Sequence, residues 1–188
     1  MVNLVAAKKA ASCFVGAWGF INSTLNTTSG DIITEDWAYP VPSGASLFTP
    51  NGYAALLVTA NDTTKPDLRP RFLTQNDYAS GNDTEWAKIG KYSIAGVGPY
   101  HLSNVTWPGY DCGDKGKKAE VKMDEEFEGP EGIQTGSFFS STLPSREGPY
   151  EFAFKFYESC HVWNLHQPVG GGLERVAWYE KLPDQQVY

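Results

Sequence analysis

The sequence predicts an all-β fold: an eight-stranded antiparallel up-and-down β-barrel, drawn from eight to ten short strand segments, with one short helix near 83–89. Three observations carry this. Short segments that alternate apolar and polar residues recur along the chain, each bounded by Gly, Pro, Asn or Asp. Aromatic residues reach 14% of the composition, which suits pleated, half-buried surfaces and apolar interiors. No long helical period and no internal repeat competes with the strand pattern. The 188 residues fit a single domain, 1–188, large enough to bury a core.

The segments follow in order. "FVGAWGFINSTL" (14–25) alternates so that Trp18, Phe20, Asn22 and Thr24 share one face while Ala17, Gly19 and Ile21 share the other. "SGASLFTPNGYAALLVTA" (43–60) reads as a hairpin turning on Pro50-Asn51-Gly52, because Asn-Gly between apolar runs supplies the left-handed residues a tight turn needs. Residues 61–90 break the pattern with prolines and many Asn, Asp and Thr. They read as a lid-like loop carrying a helical turn at Asp83–Ile89, with Asp83 or Thr84 as its cap. Strand signals resume at 90–96, 98–107, 118–127, 133–142, 150–163 and 173–182. "HVWNLHQPVGGG" (161–172) reads as a loop at a barrel mouth. Closure is favoured over a sandwich because it pairs the edge amides and carbonyls that an open sheet would leave bare. A barrel of about eight strands keeps room inside for one small ligand.

Gly16-Ala17-Trp18 then has an architectural meaning. A small barrel needs a stopper at one end, and a tryptophan on the first strand supplies one. The glycine two residues earlier lets the neighbouring chain cross close over its ring.

Composition narrows the function. The net charge is −7, and no basic stripe runs along the chain, so nucleic acid and anionic membrane are not expected partners. Lys115, Lys117 and Lys118 read as a solvated turn, and "MDEEFEGPEG" (123–132) as a solvated strand end without EF-hand spacing. No segment is apolar for the length a membrane span needs. Lys8 and Lys9 follow the first apolar residues rather than precede them, unlike a secretory leader. The 3 cysteines, Cys13, Cys112 and Cys160, have no metal-ligand spacing and read as reduced thiols of a cytoplasmic protein. Asn-x-Thr sequons at Asn22, Asn26, Asn61, Asn82 and Asn104 keep a secreted alternative open. A homodimer is a further open alternative.

No metal, nucleophile-elbow, dinucleotide, flavin or phosphate-loop motif occurs, so neither a metal nor a cofactor is expected. The candidate acid–base groups are histidines. His101 shares a strand face with Ser103, Val105 and Trp107, where it either serves a cavity or faces solvent. His161 and His166 flank Trp163, as mouth residues or as solvated ones. Arg69 and Arg71 bracket Pro70 in the long loop, either as a clamp for a carboxylate or enolate oxygen or as surface arginines. Phe152, Phe154 and Phe156 face inward as cavity wall or as solid core, against Tyr157 on the alternate face. Tyr39, Trp107 and Trp163 complete the candidate lining, with Tyr157 kept as a ligand contact.

The chain resembles the lipocalin-like domain family of small bacterial and fungal proteins. The resemblance lies in "FVGAWGFI", in "YPVPSGASLFTPNGYAALL" (39–57), in "KYSIAGVGPYHLSNVTWPG" and in the closing "VAWYEKL", which together span most of 14–182. It departs from the family at the end, where Arg near the final Trp is replaced by Glu180 and Lys181, with Arg175 before Trp178. The resemblance implies an apolar barrel cavity that takes a small hydrophobic molecule. It also implies one of two activities. The first is a cofactor-independent cyclase or isomerase acting on a polyketide- or terpenoid-like intermediate, for which His101, His161 and Arg71, read from the chain itself, are the candidate catalytic residues. The other is a non-catalytic carrier.

Overall fold

The computed structural model describes residues 4–36, 38–61, 83–106, 129–136, 139–140 and 150–184. The strands are β1 (Gly16–Thr27), β2 (Ser43–Phe48), β3 (Tyr53–Thr59), β4 (Ser93–Thr106), β5 (Glu131–Gly136), β6 (Phe139–Ser140), β7 (Tyr150–Tyr157), β8 (Val162–Gly170) and β9 (Leu173–Lys181). All pairings are antiparallel. β1 through β5 pair in succession, β5 pairs β7, then β8 and β9 follow, and β9 returns to β1. The result is a closed barrel of 8 strands, as the sequence predicts, with β6 extending the edge of β4.

The hairpin at 43–59 is as expected. Thr49 Oγ1 and backbone bracket Tyr53, and Gly52 holds the turn at φ +84°. Gly44 sits at φ +138°, and a Cβ there would overlap the carbonyl oxygen of Leu57 across the hairpin. Helix α2 (Asp83–Lys91) lies where the helical turn was predicted. The segments at 90–96 and 98–107 are one continuous strand, β4. The segment at 150–163 is divided by a turn at Glu158–Cys160, and 162–170, read from sequence as a loop, is strand β8. Its alternation hides behind polar residues: Trp163, Leu165 and Gln167 line the interior while Asn164 and His166 do not. The strand expected at 118–127, the lysines at 115–118 and Cys112 lie outside the described residues.

An N-terminal helix, α1 (Leu4–Phe14), precedes the barrel, and no element was expected there. Its Ala- and Lys-rich composition is helix-favouring. Phe14, read from sequence as a strand residue, is its last residue. Gly16, at φ +130°, then swings the chain into β1. Phe14 is fully buried at the heart of one barrel end, where its ring meets Phe48, Phe154, Phe156 and Trp163 with centroids 4.7–5.3 Å apart. Trp18 lies beside it, also fully buried, and its Nε1 donates to the Phe14 carbonyl at 2.7 Å, satisfying an acceptor that the helix end leaves open. The stopper is therefore a helix-borne Phe14 together with the predicted Trp18.

Lys181 completes this end. Its Nζ lies 5.5 Å from the Trp18 ring centroid, so a lysine supplies the cation over the indole. A Cβ on Gly16 would lie 3.1 Å from Lys181 Cε. The glycine thus makes room for the lysine stem rather than for a crossing backbone.

The cysteines overturn the reduced-thiol expectation. Cys13, on the last turn of α1, is disulfide-bonded to Cys160 in the β7–β8 turn, 147 positions away. The long separation hides the pair from any spacing motif. The plugged end brings the two together, with Cα atoms 5.3 Å apart.

Candidate functional site

Above the plug the barrel is hollow. A cavity of about 150 Å³ is lined by residues from β1, β2, β3, β4, β5, β7, β8 and β9. Trp163 is its floor, since the same indole packs on Phe14 below and lines the space above. Tyr179 stacks on Trp163 with centroids 4.4 Å apart and planes 8° from parallel, and Phe152 stacks on it at 6.2 Å. Small residues on facing strands, Ala54 and Ala177 among them, leave the volume that larger side chains would fill.

A bulge on β1 determines which side chains enter. The register with β9 shifts between Phe20 and Asn22. After it Ser23 rather than Asn22 or Thr24 is buried, opposite Ala177. Asn22 is paired with Trp178, whose ring meets Tyr157 on the outer face. The Ser23 amide donates to the Pro40 carbonyl at 2.8 Å. That bond holds the stretch 38–42 beside the cavity, where Ala38 and Pro42 join the lining.

The same segment is fixed by an ion pair. Arg175 donates from Nη1 to Asp36 Oδ2 at 2.8 Å and from Nη2 to Asp36 Oδ1 at 2.9 Å, a two-pronged geometry, with a third bond to Ser23 Oγ at 3.1 Å. Asp36 Oδ2 also accepts from the Ala38 amide at 3.2 Å. The Asp36 side chain is 6% exposed and that of Arg175 is 22% exposed. The cavity therefore meets a guanidinium whose charge is already matched.

Other polar groups stand on the walls. Burial pushes the Tyr179 phenol well above its ordinary range, against smaller opposing effects from a hydrogen bond with Ser46 and the charge of Arg175. The phenol therefore stays protonated. Gln134, from β5, is 0% exposed, and neither its Nε2 nor its Oε1 has a hydrogen-bond partner among the described residues. The Trp163 Nε1 is likewise buried and unpartnered.

The residues singled out from sequence divide sharply. Phe152 and Trp163 line the cavity. Phe154 and Phe156 face inward as predicted, but they belong to the plug around Phe14. Tyr157 is on the outer face, against Trp178 and beneath Lys155. Tyr39 lies on the covering segment, half-buried and outside the lining.

His101 is exposed, opposite Thr135, while its neighbours Tyr100 and Leu102 turn inward. The face-sharing expected of His101, Ser103 and Val105 fails because the β4–β5 register shifts between Ser103 and Thr106. Asn104 sits there at φ +51°, so Val105 is buried and His101 and Ser103 are not. His161 is exposed in the β7–β8 turn. His166 lies between Asn164 Nδ2 at 3.1 Å and Glu174 Oε1 at 3.3 Å, outside the lining. Arg69, Arg71 and Trp107 lie outside the described residues.

Sequence reasoning did not single out Ser23, Asp36, Ser46, Gln134 or Tyr179 as site residues, and it treated Arg175 only as a neighbour of Trp178. One signal was available: in "LERVAWYEK" the period of two puts Arg175 on the face of Ala177 and Tyr179.

Among the described residues no cluster of three His, Cys, Asp or Glu side chains could hold a metal, and no helix is long and apolar enough to cross a membrane. Compared with protein-family models, with curated proteins and with solved structures, the chain matches none.

Proposed function

We propose that the protein is a carrier that holds one small, largely apolar molecule in the barrel cavity. The observation that supports this is the cavity itself, about 150 Å³, walled by all the main strands and floored by Trp163. An apolar cavity of about this size suits a single ring with a few substituents. An acid–base mechanism needs a titratable side chain facing the guest. Among the described residues, His101 and His161 are exposed instead, Arg175 is matched by Asp36, and Tyr179 stays protonated. The lipocalin-like motifs fit the same reading.

One observation favours a second reading, a cofactor-independent cyclase or isomerase. Gln134 and Trp163 both line the cavity, and the Gln134 amide and the Trp163 indole N–H are buried there without partners among the described residues. Fixed donors of this kind polarise a carbonyl without moving a proton, while the walls select one conformer of the guest. The Cys13–Cys160 disulfide, together with the outer-face position of Asn22, supports the secreted alternative over a cytoplasmic one.

Native mass spectrometry of the protein after exposure to an apolar extract tests the carrier. One low-mass adduct is expected, and Ala54→Phe, which fills the cavity, should abolish it. No adduct, or one indifferent to Ala54→Phe, overturns the proposal. A guest released unchanged after prolonged incubation supports the carrier, and a guest released as an isomer supports the enzyme.

A further inference from the structure

The cavity is built almost wholly of hydrocarbon and aromatic surface, yet Gln134 stands in its wall. It projects from β5 between Leu102 on β4 and Phe152 on β7, its register partners on either side. It is completely buried, and both ends of its carboxamide lack partners among the described residues. A buried amide in that condition forfeits its hydration with nothing in exchange. Apolar residues of similar size would fill the same position without that cost. Such a group is retained where something else completes it.

The chemistry of the amide says what that is. A primary carboxamide presents a donor and an acceptor side by side in one plane. A lone carbonyl on the guest would satisfy Nε2 and leave Oε1 bare. A lone hydroxyl would satisfy one of the two at a time. A guest with an N–H and a C=O on the same edge satisfies both, in a planar two-bond ring. The stacked surfaces of Phe152, Trp163 and Tyr179 suit a flat ring bearing that edge. The unpaired Trp163 Nε1 offers a further donor on the same cavity.

We propose that Gln134 is the specificity-determining residue of the cavity and reads the cis-amide edge of a flat cyclic guest: a lactam, a cyclic imide or a pyridone. This rests on the ligand-binding reading of the cavity and narrows it to a chemical class.

The test uses the full-length, disulfide-bonded protein and three probes of matched size: 5-methyl-2-pyridone, its isomer 1-methyl-2-pyridone, and toluene. The first carries the N–H and C=O edge, the second has the N–H blocked, and the third has neither. Affinities are read by titration of the intrinsic tryptophan fluorescence and by calorimetry. The expected result is that 5-methyl-2-pyridone binds about tenfold more tightly than its N-methyl isomer, the worth of one well-made buried hydrogen bond. In Gln134→Leu the preference between the pyridones should vanish while toluene binds more tightly. Gln134→Met gives a second apolar variant if the Leu form does not fold. Equal affinity for the two pyridones, or a preference that survives both variants, overturns the inference. If toluene binds to the wild type and the pyridones gain nothing over it, the inference fails and the cavity reading stands. If none of the three binds, the cavity reading falls with it.

Discussion

The two ends of this barrel use the same strands for opposite purposes. At the α1 end, Phe14 and Trp18 are enclosed by Phe154, Phe156, Trp163 and Phe48, and the buried indole N–H of Trp18 is paired with the Phe14 carbonyl. At the other end the walls carry small residues, an unpartnered amide and an ion pair between Arg175 and Asp36. A packed, satisfied region concentrates stability. A hollow, partly unsatisfied one gives up stability and gains a place for a guest. Trp163 belongs to both, and it is the plane along which the molecule divides into a structural half and a binding half.

That division can be broken by experiment, and the largest effect is expected in the plug. Phe14→Ala removes the ring at the centre of the aromatic cluster and should cost about 3–5 kcal/mol in denaturant unfolding. At concentrations where the variant is folded, its affinity for an apolar probe should change little. A loss of affinity as large as the loss of stability would mean that the two halves are one unit.

Next comes the disulfide. Cys160→Ser frees α1 from the β7–β8 turn and should cost about 2–5 kcal/mol, chiefly because the unfolded chain regains the freedom of a loop closed over 147 positions. Hydrogen exchange should rise first in α1, leaving β1–β3 at the cavity protected. Equal deprotection of the cavity strands would erase the contrast between the ends.

A smaller effect belongs to the cover of the hollow half. Asp36→Asn leaves Arg175 half-matched and weakens the hold on Ala38, at about 1–3 kcal/mol of stability. Unlike the plug variants, it should speed the release of a bound probe in stopped-flow measurements. Unchanged release would mean that the stretch 38–42 does not act as the cover.

The smallest effect at ordinary pH is that of Tyr179. Its phenol is raised above the free value of 10.0, so the folded state keeps a proton that the unfolded chain gives up in alkali. The contribution is whole below pH 10 and is lost as the pH rises beyond it. Tyr179→Phe should be nearly neutral at pH 7 and should flatten the fall in thermal stability at the alkaline end. A wild-type stability that stays level above pH 10 would show that the buried phenol is not protected.

Local sequence was enough for the fold class, the Asn-Gly hairpin, α2 and the burial of Trp18, Phe152, Phe154 and Phe156. Each of these follows from local periodicity or turn chemistry, which a strand carries within its own residues. Of the site it reached only Phe152 and Trp163. An irregularity at Asn104 parts exposed His101 from buried Val105, and a bulge after Phe20 brings Ser23 inside. One residue of register inverts every side chain beyond it, and nothing in the alternation marks where the shift falls. Cys13 met Cys160, and Asp36 met Arg175, only when barrel closure brought the first strand against the last. Those contacts join residues more than a hundred positions apart, and they exist only once the whole ring of strands has closed.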